Sequence, residues 1–245
     1  MAMDPELQKK IQIFIAAAIV IAGVRAAYVV YERHEVMKED TQPRQETALK
    51  ADYYVTPKKV HAYDLESARQ QFTAQPVWVK YGYQLTYYPY DATRKKVDFG
   101  HEEGMLPPLA KLTIQDVVEA AAPQAPGIKQ VLACFTFLAD ADGKTYAVSI
   151  GSDKGGDFKL RADDIFFIED PHNLYKHWTA DVWQKIDAHE VQPGMSELQA
   201  SFALGMGTSA VSGDYGSRTL NYANGGKPLV ISFENDKVVE IKPGT

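Results

Sequence analysis

The sequence contains a single cysteine, Cys134. A lone thiol closes no intramolecular disulfide and excludes cysteine-based zinc and iron–sulfur sites. It lies in the apolar run 131–138, where a cysteine serves as a small buried hydrophobe. There is no long basic run, and the formal net charge is -6, which argues against nucleic acid as a partner. Recognisable catalytic motifs are also missing. No G-x-S-x-G elbow occurs. The glycine-rich stretch 151–156 lacks Lys-Ser/Thr after its second glycine, and no helical pattern opens there, so it is not a phosphate loop. No internal repeat of solenoid period is found.

The remaining polar clusters read as structure. His172 and His177 are five residues apart, which does not set two imidazoles on one helical face. His101-Glu102-Glu103 has no partner at readable spacing and reads as a solvated loop. Residues 140–143 (DADG) lack the later ligands of a calcium loop and read as a hairpin turn. No catalytic residue, cofactor site or metal ligand is therefore expected.

What the sequence does hold is apolar. Hydrophobic residues make up 45% of 245 positions, aromatic residues 11% and charged residues 24%, as in globular chains. The strongest single signal is residues 11–31, IQIFIAAAIVIAGVRAAYVVY. A helix of about 20 residues, rising 1.5 Å per residue, spans the ~30 Å hydrocarbon layer. Arg25 lies about two turns from the end of the run, where its long stem reaches the headgroups. With Tyr28 and Tyr31 it is expected to anchor the helix at the interface. Ala18, Ala22 and Ala26 recur every four residues with Gly23 alongside, a spacing that lets helices approach closely in lipid. The competing reading is a cleaved signal peptide with residues 13–24 as its core. Arg25 inside the cleavage region and the continued apolar run 26–31 favour a retained anchor.

Residues 1–10 form a short tail, and 32–51 a polar tether of mixed charge. Residues 52–170 are expected to form a β-rich domain. In 77–87 the odd positions carry Val77, Val79, Tyr81, Tyr83, Leu85 and Tyr87, the period-two alternation of one half-buried strand. Further strands are expected at 131–138, 145–150 and 165–168. Residues 64–72 have helical character, while 112–122 suit helix or strand equally. One face of the aromatic strand must be core. Trp78, Tyr88 and Tyr90 are the candidates for a partner-facing surface.

Residues 171–245 read as α-α-β-β-β. Ala180 to Glu190 form an amphipathic helix. Ser196-Glu197-Leu198-Gln199 is a capping box opening a second helix that Gly205 ends. Strands follow at 218–223, 228–233 and 237–242, separated by Asn-Gly-Gly and Asn-Asp turns. A sheet this small must cover its apolar face with the two helices. The fold class expected is α+β, with one transmembrane helix, a β-rich middle and a C-terminal unit holding a three-stranded antiparallel sheet.

Residues 191–205 (VQPGMSELQASFALG), followed by 220–241 (LNYANGGKPLVISFENDKVVEI), resemble the SmpA/OmlA outer-membrane-assembly lipoprotein domain, the BamE-like fold. The matching positions are Gly194, Met195, Leu204, Gly205, Tyr222, Phe233, Val238 and Val239. The chain departs from the family pattern in lacking an N-terminal lipid-bearing cysteine and in placing Met206, rather than proline, after Leu-Gly. The resemblance covers the last quarter only. It implies a small scaffolding module at the periplasmic face. Together with the apolar helix and the tether, the expectation is a non-catalytic structural or assembly subunit of an envelope complex held in a bacterial inner membrane, with the bilayer and other envelope subunits as partners. A membrane-tethered ligand- or peptide-binding module is the alternative.

Overall fold

The structure, a computed structural model, describes residues 5–40, 50–122, 131–139, 143–153, 157–209 and 213–244. The chain divides into two units, Met1–Lys50 and Ala51–Thr245.

In the first unit, helix α1 runs over Pro5–Asp40. Pro5 occupies the first helical position, where its missing N–H costs nothing and its fixed φ is already helical. Helix therefore continues past the apolar run into the polar segment. Residues 41–49 of the expected tether lie outside the described residues. Within α1, Phe14–Arg33 is long and apolar enough to cross a membrane, and none of it is buried in the structure.

The second unit opens with a short 3-10 turn, Ala51–Tyr54, and an extended segment. That segment is fastened by Asp163, whose two carboxylate oxygens accept from the backbone N–H groups of Val60 (2.7 Å) and His61 (2.6 Å). Helix α2, Leu65–Phe72, starts at Asp64, which caps it reciprocally with Ser67. Nine strands and a helical turn follow in order: β1 (Val77–Val79), β2 (Leu85–Asp91), β3 (Lys96–Val97), β4 (Gly104–Leu106), β5 (Lys111–Leu112), β6 (Ile114–Ala121), β7 (Val131–Leu138), β8 (Thr145–Asp153) and β9 (Phe158–Leu160), and then α3 (Ala162–Ile165). The last part comprises β10 (Phe166–Phe167), α4 (Pro171–Leu174), α5 (Ala180–Asp187), α6 (Glu197–Leu204), β11 (Thr219–Tyr222), β12 (Leu229–Glu234) and β13 (Lys237–Pro243).

These elements make an α+β architecture with three antiparallel sheets. The largest has the order β3-β2-β8-β7-β6, with β4 on β2 and β9 on β8. A small sheet has the order β10-β1-β5, and the C-terminal meander runs β11-β12-β13. Residues 112–122, ambiguous by pattern, resolve as strand: β6 pairs along β7, which supplies its backbone hydrogen bonds. Helix α2 and β6 are joined by Arg69, which donates to Asp116 (2.5 Å) and to the Val117 carbonyl (2.8 Å).

Two expectations need correction. The alternating stretch 77–87 is not one strand. It breaks between Val79 and Leu85 into β1 and β2, which belong to different sheets. Tyr83 N–H bonds back to the Lys80 carbonyl (3.1 Å), closing a turn. Alternation survives the break: Tyr81, Tyr83, Leu85 and Tyr87 all pack on core clusters. Periodicity reports which side chains are buried, and it is blind to a turn that preserves the phase. Likewise, residues 165–168 do not form one strand, because Ile165 closes α3 and only Phe166–Phe167 pairs with β1.

Three clusters hold the unit together. The first lies under the large sheet around Phe72, Phe135, Ile150 and Phe166. The second joins α5, α6 and the meander around Phe202, Trp183, Tyr222 and Ile231. The third, on the sheet's other side, gathers Val97, Ala120, Cys134 and Ala147. The α6 capping box is present: Ser196 Oγ accepts from Gln199 N–H, and Gln199 Oε1 from Ser196 N–H. Gly205, at φ +87°, ends α6 in a conformation costly for other residues. Asn235 and Asp236, both at positive φ, turn β12 into β13 as a two-residue hairpin requires.

Candidate functional site

The residues singled out in the helix all lie on α1. Ala18, Ala22, Gly23 and Ala26 are exposed, as are Arg25, Tyr28 and Tyr31. At 3.6 residues per turn the alanines form one stripe, and a Cβ built on Gly23 meets nothing within 4 Å. The aromatic candidates are not brought together. Trp78 sits on β1, partly buried against the second cluster, with Lys111 over its ring at 5.6 Å. Tyr88 and Tyr90 sit on β2 and pack against the third cluster, Tyr88 edge-on to Phe99 with ring centroids 5.0 Å apart.

Among the described residues, an apolar groove of about 480 Å³ lies between β4 and the end of helix α6. One wall is Met105, Leu106, Pro107 and Pro108, and the other is Ala203, Leu204 and Gly205. The turn 223–226 closes one side, and Gln84, His189 and Asn224 are the lining residues with polar side chains. Local chemistry builds each wall. Pro107 and Pro108 end β4, and Ala110 N–H returns to the Pro107 carbonyl (3.2 Å), turning the chain. Gly205 brings the two walls together, since a Cβ there would stand 3.5 Å from the Pro108 ring. His189 follows α5 at φ +55° and donates from Nδ1 to the Ala203 carbonyl at 2.9 Å. In a neutral imidazole that bond leaves Nε2 as the ring's acceptor. Among the described lining residues none carries a carboxylate, ammonium or guanidinium.

No family model, curated protein or solved structure matches the chain.

A second polar arrangement lies at α4. His172 Nδ1 is 3.0 Å from Asp170, and its Nε2 is 3.2 Å from both oxygens of Asp187. Its ring stacks on Trp183 at 4.0 Å. A neutral imidazole has one N–H, so only the imidazolium donates to both carboxylates at once. Burial pulls the His172 pKa down, but the hydrogen bonds to Asp187 and Asp170 outweigh it and raise the value above 6.5. Protonation is thus favoured by folding. The stabilisation is fully present below the unfolded value and is lost as pH rises through the higher folded value. The ring is 45% exposed, so solvent screens both pairs. We expect His172→Gln to cost on the order of 1 kcal/mol at pH 5.5 and progressively less towards pH 8. Denaturant titrations across that range test it, and a loss independent of pH would remove the charge from the account.

Asp52 makes a further long-range tie. Its Oδ1 accepts from His177 Nε2 (2.6 Å) and from Trp178 Nε1 (2.7 Å), fastening the start of the second unit to the turn after α4. His172 and His177 thus serve separate carboxylates. Among the described residues no group of three or more histidine, cysteine, aspartate or glutamate side chains is arranged to hold a metal. Cys134 is fully buried, which pushes its thiol up to about 12 and leaves it inert. His101 pairs locally with Asp98 at 2.8 Å. Neither the groove nor the Asp52 tie has a signature in the sequence. The prolines and Gly205 marked chain breaks only, and nothing local to Asp52 signals its partners.

Proposed function

We propose that the chain is a non-catalytic, membrane-anchored structural or assembly subunit of a bacterial envelope complex, its soluble body on the periplasmic side of the inner membrane. One observation carries the reading: Phe14–Arg33 presents a continuous apolar helical surface with no residue buried. Each exposed apolar side chain of that kind costs about 1.5–3 kcal/mol in water, and lipid removes the cost. The small-residue stripe Ala18, Ala22, Gly23 and Ala26 suits lateral packing on another helix. The BamE-like reading of the C-terminal part is supported by its two helices, capping box and three-stranded meander. The alternative of a tethered ligand- or peptide-binding module is favoured by the groove.

Fractionation tests the anchor. The full chain is expected in the membrane pellet after an alkaline wash. Ile19→Asp combined with Val20→Asp should move it to the supernatant, because each central carboxylate costs roughly 2.5–3.5 kcal/mol on insertion. Native gels after gentle extraction should show it with partners. A wild-type chain shortened near Ala27 and recovered soluble, or one migrating alone, would remove the proposal.

A further inference from the structure

We infer that the groove between β4 and α6 is the docking site for an extended, uncharged, apolar segment of a partner protein. The inference rests on the reading above that the body binds other proteins, and it names where and what.

Charge is the first argument. Charged residues make up 24% of the chain, yet the groove's described lining has none. A charged segment entering it would lose its hydration and gain no counter-ion. The apolar walls, Met105, Leu106, Pro108 and Leu204 among them, suit aliphatic side chains, and about 480 Å³ accommodates a few of them. Met105, 57% exposed, lies on the groove's wall within reach of an entering side chain. Methionine also adapts its shape to what it meets.

The polar groups favour a peptide over an acyl chain. The Gln84 and Asn224 amides offer donors and acceptors, and a neutral His189 ring offers Nε2 as an acceptor. A peptide carries an N–H and a C=O at every residue to meet them, whereas a hydrocarbon tail carries neither. β4 adds backbone capacity. Among the described residues it pairs with β2 alone, which leaves its other edge without a strand. Its three residues end at Pro107-Pro108, so the edge takes only a short extended segment.

Fluorescence anisotropy on the full chain in lipid nanodiscs tests this, with empty nanodiscs as the blank. The probe is a dye-labelled neutral peptide, Ala-Leu-Pro-Leu-Gln-amide, compared with versions in which both leucines are lysine or both are glutamate. We expect saturable binding of the neutral peptide and at least tenfold weaker binding of the charged ones. Met105→Asp should weaken it at least tenfold, and Met105→Leu should keep it. Gln84→Arg, at an exposed position that leaves both walls intact, should weaken it as well. Equal binding of neutral and charged peptides overturns the inference, and so does a neutral peptide indifferent to both charge-introducing variants. Saturable binding of a dye-labelled alkyl chain that Met105→Asp weakens, with no saturable peptide binding, assigns the groove to an alkyl chain and also overturns it. Partners that co-purify equally with wild type and Met105→Asp sink the groove alone. Absence of any partner sinks the broader reading.

Discussion

Phe202→Ala is expected to lower the stability of the Ala51–Thr245 unit by about 3–5 kcal/mol, the usual cost of emptying a buried aromatic site. Phe202 is fully buried on α6, and five aromatic rings surround it. Tyr81 stacks on it at 4.6 Å, and Tyr175 and Trp178 meet it edge-on at 4.9 Å each. Phe167 and Trp183 follow at 6.0 and 6.3 Å. These rings come from β10, α5 and the turns beside β1 and α4, so the cavity would open where separate elements meet. Rigid rings relax poorly into such a space, which places the cost towards the top of the range. Phe202→Leu should cost much less, since it keeps most of the volume. Denaturant unfolding followed by tryptophan fluorescence checks both, because Trp178 and Trp183 line the site. A loss below about 1 kcal/mol for the alanine variant would show that the surrounding rings close the gap.

Glu197→Ala is the second large effect, expected at roughly 2–4 kcal/mol. Breaking a buried ion pair from one side typically costs 3–5 kcal/mol. Glu197 is 2% exposed, at the first position of α6, where the helix N-terminus also favours a carboxylate. Its carboxylate accepts from the Gly216 N–H (2.8 Å) and from Arg218 Nε (3.2 Å) and Nη2 (2.5 Å). Arg218 is 30% exposed and recovers part of its hydration, which lowers the expected figure. The Gly216 N–H is buried and does not. The pair with Glu197 raises the Arg218 pKa, so the guanidinium stays charged in any practical buffer. A double-mutant cycle with Arg218→Ala should give a coupling of about 1–3 kcal/mol. Strict additivity would mean that the loss comes from the Gly216 contact and from packing.

Both sites show where sequence reading succeeds and where it stops. Ser196, Glu197 and Gln199 were legible as a helix start, because a capping box closes within four residues. That the same Glu197 reaches Gly216 and Arg218 across the loop was not, because their separation carries no periodic signal. Phe202 was legible as apolar and on a helical face. The rings around it come from residues 19 to 121 positions away in the chain, and their number and angles follow only from how α5, α6 and the small sheet meet.

 The nearest of those rings in the chain is Trp183 and the farthest is Tyr81, so no local pattern connects them to Phe202.

The sequence by itself determined the elements whose hydrogen bonds and apolar faces close locally. These are the long apolar helix, the α2 and α6 starts, the Gly205 stop and the three-strand meander with its Asn-Asp turn. Helix length follows from rise per residue, and caps and tight turns follow from side-chain chemistry within a few positions. Tertiary structure decided the rest. It split 77–87 between two sheets, separated Trp78 from Tyr88 and Tyr90, and set His172 between two carboxylates. It also joined Asp52 to His177 across 125 positions and made an uncharged groove from a proline turn and a helix end. Such pairings are fixed only on collapse, when each strand takes the partner that satisfies its backbone and each apolar face takes the neighbour that removes it from water.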